Sequence, residues 1–193
     1  MSRSRIALLG TSADPPTCGH QALLEGLLNH YDRVVTWASD NPMKQHVASL
    51  ELRRTMLNSL VNAIDHSRLS LVQDLSSPHT ITTLKRAADL WPNQTLVFVV
   101  GSDLAEQIPR WKQTERWLPQ CRLAIAHRSG WPLSASAVNQ LQIRGARVDV
   151  LDLDVPASAS SKLRLRPDPA QVPESIWPLL LQHNLYGLSP SCC

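Results

Sequence analysis

The stretch GTSADPPTCGH, residues 10–20, gathers residue types that together can handle a phosphate. An apolar run, RIALLG, leads into it, and a segment with helical spacing, QALLEGLLNHY, leads out. A polar turn therefore delivers a histidine to the start of a helix. The first backbone N–H groups of a helix lack intrahelical partners, and the helix dipole adds partial positive charge there, so such a turn favours an anion. Gly10 and Gly19 allow backbone to approach a ligand without a Cβ in the way. Thr17 adds a hydroxyl, and His20 in the first helical turn can present an N–H to a phosphate oxygen as charge develops on it. On these few residues alone, a His20 that merely caps the helix is the competing reading. The stretch is no P-loop, because no Gly-Lys-Ser/Thr follows, and no dinucleotide fingerprint, because G-x-G-x-x-G is absent.

The elements that must hold this turn alternate along the chain. Residues 5–10 read as a first strand, and residues 20–30 as a helix whose apolar face is Ala22, Leu23, Leu24, Leu27 and Leu28. RVVTWAS (33–39) reads as a buried strand and NPMKQH (41–46) as a polar loop. Ser49 is a fitting N-cap for SLELRRTMLNSLVNAI, although Arg53 stands near the place where a capping box would want Glu. LSLVQ (69–73) predicts a short strand, and 80–90 a helix stopped by Pro92-Asn93. TLVFVVGSD (95–103), CRLAIAHR (121–128) and ARVDVLDL (146–153) predict three further strands. Residues 173–186 predict a closing helix, with Pro178 in its first turn or kinking it. Nearly continuous apolar strands alternating with helices predict a doubly wound, Rossmann-like α/β fold: a parallel sheet with helices on both faces. Ligands of such folds bind beyond the carboxyl ends of the strands, where the strand order reverses, which puts the turn after the first strand in the right place. No repeat or low-complexity linker interrupts the pattern, so residues 1–188 are expected to form a single domain and 189–193 a disordered tail.

Composition sets the limits. The chain has 193 residues, 43% hydrophobic and 18% charged, enough for a packed core. No run of about 18 apolar residues predicts a membrane span, and the apolar run at the N-terminus is too short for a secretory signal. A cytosolic protein is expected. Cys18, Cys121, Cys192 and Cys193 show no metal-ligand spacing and are expected to be reduced thiols. The net charge of +3, without long Lys/Arg blocks, suits small anionic ligands such as nucleotides rather than nucleic acid.

The turn also resembles GGTFDPxHxGH, the signature of the HxGH/TxGH nucleotidyltransferase superfamily, and SASSKLR (158–164) resembles its second signature, ISSTxIR. The middle of the chain narrows the likeness. PHTITTLKRA (78–87), VFVVGSDLAEQIPRWKQTERWL (97–118), AIAHRSGWPL (124–133) and VPESIWPLLLQHNLYG (172–187) are similar, in order, to segments of bacterial nicotinate-nucleotide adenylyltransferases. The resemblance implies transfer of AMP from ATP to nicotinate mononucleotide, giving the adenine dinucleotide and pyrophosphate, with Mg²⁺ riding on the triphosphate.

It also implies roles for particular residues. His20, Thr17 and Arg164 would be catalytic, with His20 on the α-phosphate and Arg164 forking onto the β- and γ-phosphates. Gly10, Thr11, Ser12, Gly19, Lys44, Ser160 and Ser161 would line the ATP phosphates. Thr82 or Thr83 would take the nicotinate carboxylate and Asp103 a ribose hydroxyl. Trp111 would either stack on the pyridine ring or pack in the core, and Arg128 either contact the mononucleotide or serve structure. No protein-held metal is expected. The sequence leaves the oligomeric state open, a homo-oligomer included. This chain departs from the family pattern at Thr11 (a glycine), Ala13 (an aromatic), His79 (a tyrosine) and Ser158-Ala159 (an Ile-Ser pair). Those departures bear on rate and substrate preference. The other readings are a sibling transferase for nicotinamide mononucleotide or another phosphorylated acceptor, and a non-catalytic nucleotide-binding module.

Overall fold

Residues 3–128, 130–156 and 160–189 are described by a computed structural model, without the side chains of Arg128 and Asp154. Six strands form one sheet in the order β3-β2-β1-β4-β5-β6. They are β1 (Arg5–Thr11), β2 (Arg33–Ala38), β3 (Leu69–Leu71), β4 (Thr95–Gly101), β5 (Arg122–Arg128) and β6 (Arg147–Val155), and every neighbouring pair is parallel. The helices are α1 (Cys18–His30), α2 (Leu50–Ile64), α3 (Thr80–Leu90), α4 (Thr114–Trp117), α5 (Ala135–Ile143), α6 (Ser160–Leu165) and α7 (Trp177–Gln182).

Strand side chains alternate between two cores. Ala7, Leu9, Val34, Val97 and Val99 face Leu24, Leu27 and Leu28 of α1 and Met56, Leu57 and Leu60 of α2. Leu8, Val35, Phe98, Val100, Leu123 and Ile125 face the other way, onto Ala87 of α3, Ala137 and Leu141 of α5, and Trp117. Covering on both faces is why β1, β2, β4 and β5 read as nearly continuous apolar runs rather than alternating ones.

The register opens the site. β1 pairs with β4 only as far as Leu8↔Phe98. Beyond it, β1 follows β2 to Thr11↔Ala38 while β4 follows β5 to Gly101↔Ala126. The two central strands therefore part company at their carboxyl ends, and that is where the strand order reverses.

Several boundaries differ from the expected ones. Helix α1 begins two residues earlier than residue 20, because Thr17 caps it. The strand predicted over 95–103 stops at Gly101, and Ser102–Leu104 winds into a 3₁₀ turn. The closing helix shrinks from 173–186 to Trp177–Gln182, with Pro178 in its first turn, where a missing N–H costs nothing. Helix α5 had no sequence counterpart: it buries only Ala137 and Leu141, too thin a stripe to read. The expected tail beyond Ser189 and the Ser158-Ala159 part of the second signature lie outside the described residues. No helix among the described residues is long and apolar enough to cross a membrane.

Candidate active site

Because the strands are all parallel, the segments leaving their carboxyl ends share one edge of the sheet. The turn 12–17, the loop 39–48, the start of α3, the 3₁₀ turns after β4, and α6 all begin there.

The Thr17–His20 spacing is a capping box with histidine in the place of the usual Glu or Gln. Thr17 Oγ1 accepts the His20 backbone N–H, and the Thr17 backbone N–H donates to His20 Nδ1 at 3.0 Å. A ring nitrogen that accepts carries no proton, so in the neutral imidazole the proton sits on Nε2. The turn thus fixes both ring orientation and tautomer. Thr17 itself is fully buried, with its hydroxyl 2.9 Å from Nδ1. Thr17, expected to be catalytic, thus stands in the cap beside the ring of His20.

Asp14 is the hub of the turn. It is fully buried, and its carboxylate accepts the backbone N–H groups of Val47 (2.8 Å) and Ala48 (3.1 Å) and the hydroxyl of Tyr186 (2.7 Å). Arg164 donates one N–H to the Asp14 carbonyl at 2.9 Å and stands 3.9 Å from the Asp14 carboxylate. Ser160 Oγ donates to the Pro15 carbonyl at 2.8 Å. Arg53, buried on α2, reaches the carbonyls of Ser12 (2.8 Å), Ser39 (2.9 Å) and Ala48 (3.2 Å). Burial, more than any neighbour, lowers the Arg53 pKa, with Asp14 partly opposing it. Ala13 is buried at φ +49°, a left-handed backbone that holds the turn tightly folded.

The other expected site residues lie on the neighbouring segments. Gly10 lies beside Trp37, whose indole a Cβ there would meet at 2.8 Å. Thr11 accepts the Ala13 N–H at 3.4 Å and Ser12 supplies its carbonyl to Arg53. Gly19 is buried in the first turn of α1, and Ser161 is exposed at the start of α6. Lys44 is exposed on the loop after β2. His46, two residues on, has a buried Nε2 without a protein partner, and burial first, then Arg53, lowers its pKa.

The geometry separates the two threonines. Thr83 is buried and its hydroxyl donates to the Leu75 carbonyl at 2.9 Å. Thr82 is half-buried in the first turn of α3. Trp111 is half-buried, with a ring contact to Trp117 at 6.2 Å. Asp103 is half-buried and folds its carboxylate over Gly101, where any Cβ would collide with it. The Arg128 side chain lies outside the described residues. Among the described residues no three His, Cys, Asp or Glu side chains are grouped to hold a metal ion.

Asp14, Arg53, His46 and Tyr186 were not singled out from the sequence. Arg53 did leave a signal: it stands at i relative to Met56, Leu57, Leu60 and Val61, the apolar stripe of α2, so its position predicts a buried charge. Tyr186 left none.

The comparisons with known proteins agree with this architecture. Residues 8–168 match the model of the cytidylyltransferase-like family. The chain is 34% identical to a probable nicotinate-nucleotide adenylyltransferase of Synechocystis, with 94% of this chain and 98% of that protein covered. It is 31% identical to another from Chlorobaculum tepidum, with 95% and 99% covered. In fold it matches Plasmodium falciparum nicotinic acid mononucleotide adenylyltransferase, solved with NaAD, at a TM-score of 0.77 and 20% identity over 96% of this chain and 98% of that one. The chain belongs to the cytidylyltransferase-like family and, within it, to the nicotinate-nucleotide adenylyltransferases.

Proposed function

We propose that the chain transfers AMP from ATP to nicotinate mononucleotide, releasing pyrophosphate and giving nicotinate adenine dinucleotide for NAD synthesis. A phosphate oxygen of the mononucleotide attacks the α-phosphorus of ATP in line. The new P–O bond forms as the bond to the β-phosphate oxygen breaks, and pyrophosphate leaves with the electron pair. No covalent enzyme intermediate is needed, so the protein contributes position and charge neutralisation.

The observation that carries this reading is the capping box that pins His20 with Nδ1 accepting and Nε2 protonated at the N-terminus of α1. An N–H held there needs no reorganisation to meet charge building on the α-phosphate. Arg164, Ser160 and Ser161 approach the β- and γ-phosphates, with Lys44 closing over them. Gly10, Thr11, Ser12 and Gly19 shape the cradle. Thr82 takes the carboxylate that Thr83 cannot reach, Asp103 a ribose hydroxyl, and the open part of the Trp111 ring the pyridine, with Arg128 nearby. Mg²⁺ rides on the triphosphate, held by phosphate oxygens and water. Asp14 spends its oxygens on Val47, Ala48 and Tyr186, so it has little left for an ion. The working unit is one domain over residues 1–188, acting in the cytoplasm.

The test is pyrophosphate release from ATP and Mg²⁺ with nicotinate mononucleotide, beside nicotinamide mononucleotide. Preference for the acid is expected. Preference for the amide would overturn the carboxylate site at Thr82, and no release with either would overturn the reaction. His20→Ala should lower kcat by ~10²–10³, the loss typical of one transition-state donor, with ATP affinity largely kept.

A further inference from the structure

We propose that Tyr186 is a positioning residue for the transfer step: its hydroxyl clasps Asp14, and through Asp14 the C-terminal segment sets the phosphate turn, the Lys44 loop and Arg164 relative to one another. The inference rests on the adenylyltransferase reading for its kinetic part only.

Four stretches far apart in sequence meet at one buried carboxylate. Asp14 belongs to the turn after β1. Val47 and Ala48, whose N–H groups it accepts, close the loop that carries Lys44. Arg164 on α6 donates to its carbonyl, and Tyr186 donates to Oδ1 at 2.7 Å across 172 residues of sequence. The same Oδ1 accepts Ala48 N–H, while Oδ2 accepts Val47 N–H and faces Arg164. Loss of the Tyr186 bond therefore leaves the buried carboxylate free to rotate between donors that belong to different parts of the site.

The C-terminal segment is built to hold that hydroxyl in place. Leu185 is buried in the core with α1 and α2, and Asn184 and Tyr186 both adopt left-handed backbone, at φ +49° and +55°. Left-handed conformations at residues with a Cβ persist where the surroundings over-determine them. Here the buried Leu185 on one side and the Asp14 bond on the other do so. Burial, reinforced by Asp14, raises the Tyr186 pKa well above its usual value, so the hydroxyl remains a donor at neutral pH. Tyr186 touches none of the proposed reacting atoms, so it acts through Asp14 rather than as a catalytic residue.

Tyr186→Phe removes the hydroxyl and keeps the ring. Two readouts, taken well below the melting temperature of the variant, test the proposal. Amide hydrogen exchange at Val47 and Ala48 should accelerate about ten-fold relative to core amides, because their acceptor is released. Turnover should fall about five-fold or more, with KM for ATP and mononucleotide within about two-fold, as for an interaction realised in the transition state. A residue that only packs would lower Tm and leave kcat and the local exchange ratio unchanged, and that result overturns the proposal. If the wild-type chain shows no transfer with any mononucleotide, the adenylyltransferase reading fails, and exchange alone decides. Unchanged Val47 and Ala48 protection then overturns the clasp, and selective loss supports it.

Discussion

At the scale of single residues, the site works by using up hydrogen-bonding capacity. Thr17 and His20 satisfy each other's backbone donors, which holds the imidazole with Nδ1 accepting. Thr17→Val should therefore cost the helix cap, about 1 kcal/mol of stability, and also lower turnover by freeing the ring. Thr17→Ser should restore both, and the pair is read by denaturant unfolding and by pyrophosphate release. If Thr17→Val kept full turnover, His20 would not depend on its cap. His46 is the residue whose environment speaks to pH. Burial, helped by Arg53, pulls its pKa below the ordinary 6.5, so the unfolded chain binds a proton there more readily than the folded one. Stability then rises with pH through this window. The contribution is complete above about pH 6.5 and is lost as the pH falls below it. Wild-type protein should lose unfolding free energy between about pH 7 and pH 5 more steeply than His46→Gln, measured by urea titration. Equal slopes would show that His46 titrates alike in both states.

At the scale of elements, the buried Arg53 binds the amino end of α2 to two strand ends, by way of the carbonyls of Ser12, Ser39 and Ala48. Arg53→Met would keep much of the volume but orphan three carbonyls. Destabilisation of roughly 3 kcal/mol is expected from guanidinium unfolding, because each buried acceptor left unpaired costs about 1–3 kcal/mol. A loss below about 1 kcal/mol would mean water replaces the guanidinium. The same elements show why some of the structure was legible and some was not. β1, β2, β4 and β5 could be read from their apolar runs, because strands covered on both faces write their burial directly into residue type. The start of α2 could be read from Ser49, whose cap is a local interaction, whereas the Thr17 cap, which starts α1 at Cys18, was not read from the sequence. Helix α5 was hidden, since it presents only Ala137 and Leu141 to the core. Likewise the glycine at position 10 suggested a ligand, and the sequence did not show that it also accommodates Trp37 from the neighbouring strand. The type of a residue shows what it tolerates, and only the fold shows which neighbour makes the demand. Asp14 escaped for that reason: all its partners lie 33 or more residues away.

At the scale of the whole molecule, both ends of the chain converge on one turn. β1 delivers it, and the last described turn, Leu185–Gly187, closes over it through Tyr186. The middle of the chain supplies the segments that leave the same sheet edge after β2, β3 and β4. An enzyme so arranged cannot have its transfer turn completed until its C-terminal segment is in place. Two truncations test this. A chain ending at Ser189 should keep the melting temperature and the turnover of the full chain, since the core and the Asp14 bonds of the described residues are all retained in it. A chain ending at Asn184 loses Leu185, which is buried with α1 and α2, and loses the Tyr186 hydroxyl as well. Removing one buried leucine side chain costs about 2–5 kcal/mol, a large share of the 5–15 kcal/mol that holds a typical domain together. The shorter chain should melt many degrees lower and show little transfer even where it remains folded, because Asp14 then lacks its clasp. If it kept full turnover below its melting point, the C-terminal turn would be a lid on the core and no part of the catalytic arrangement.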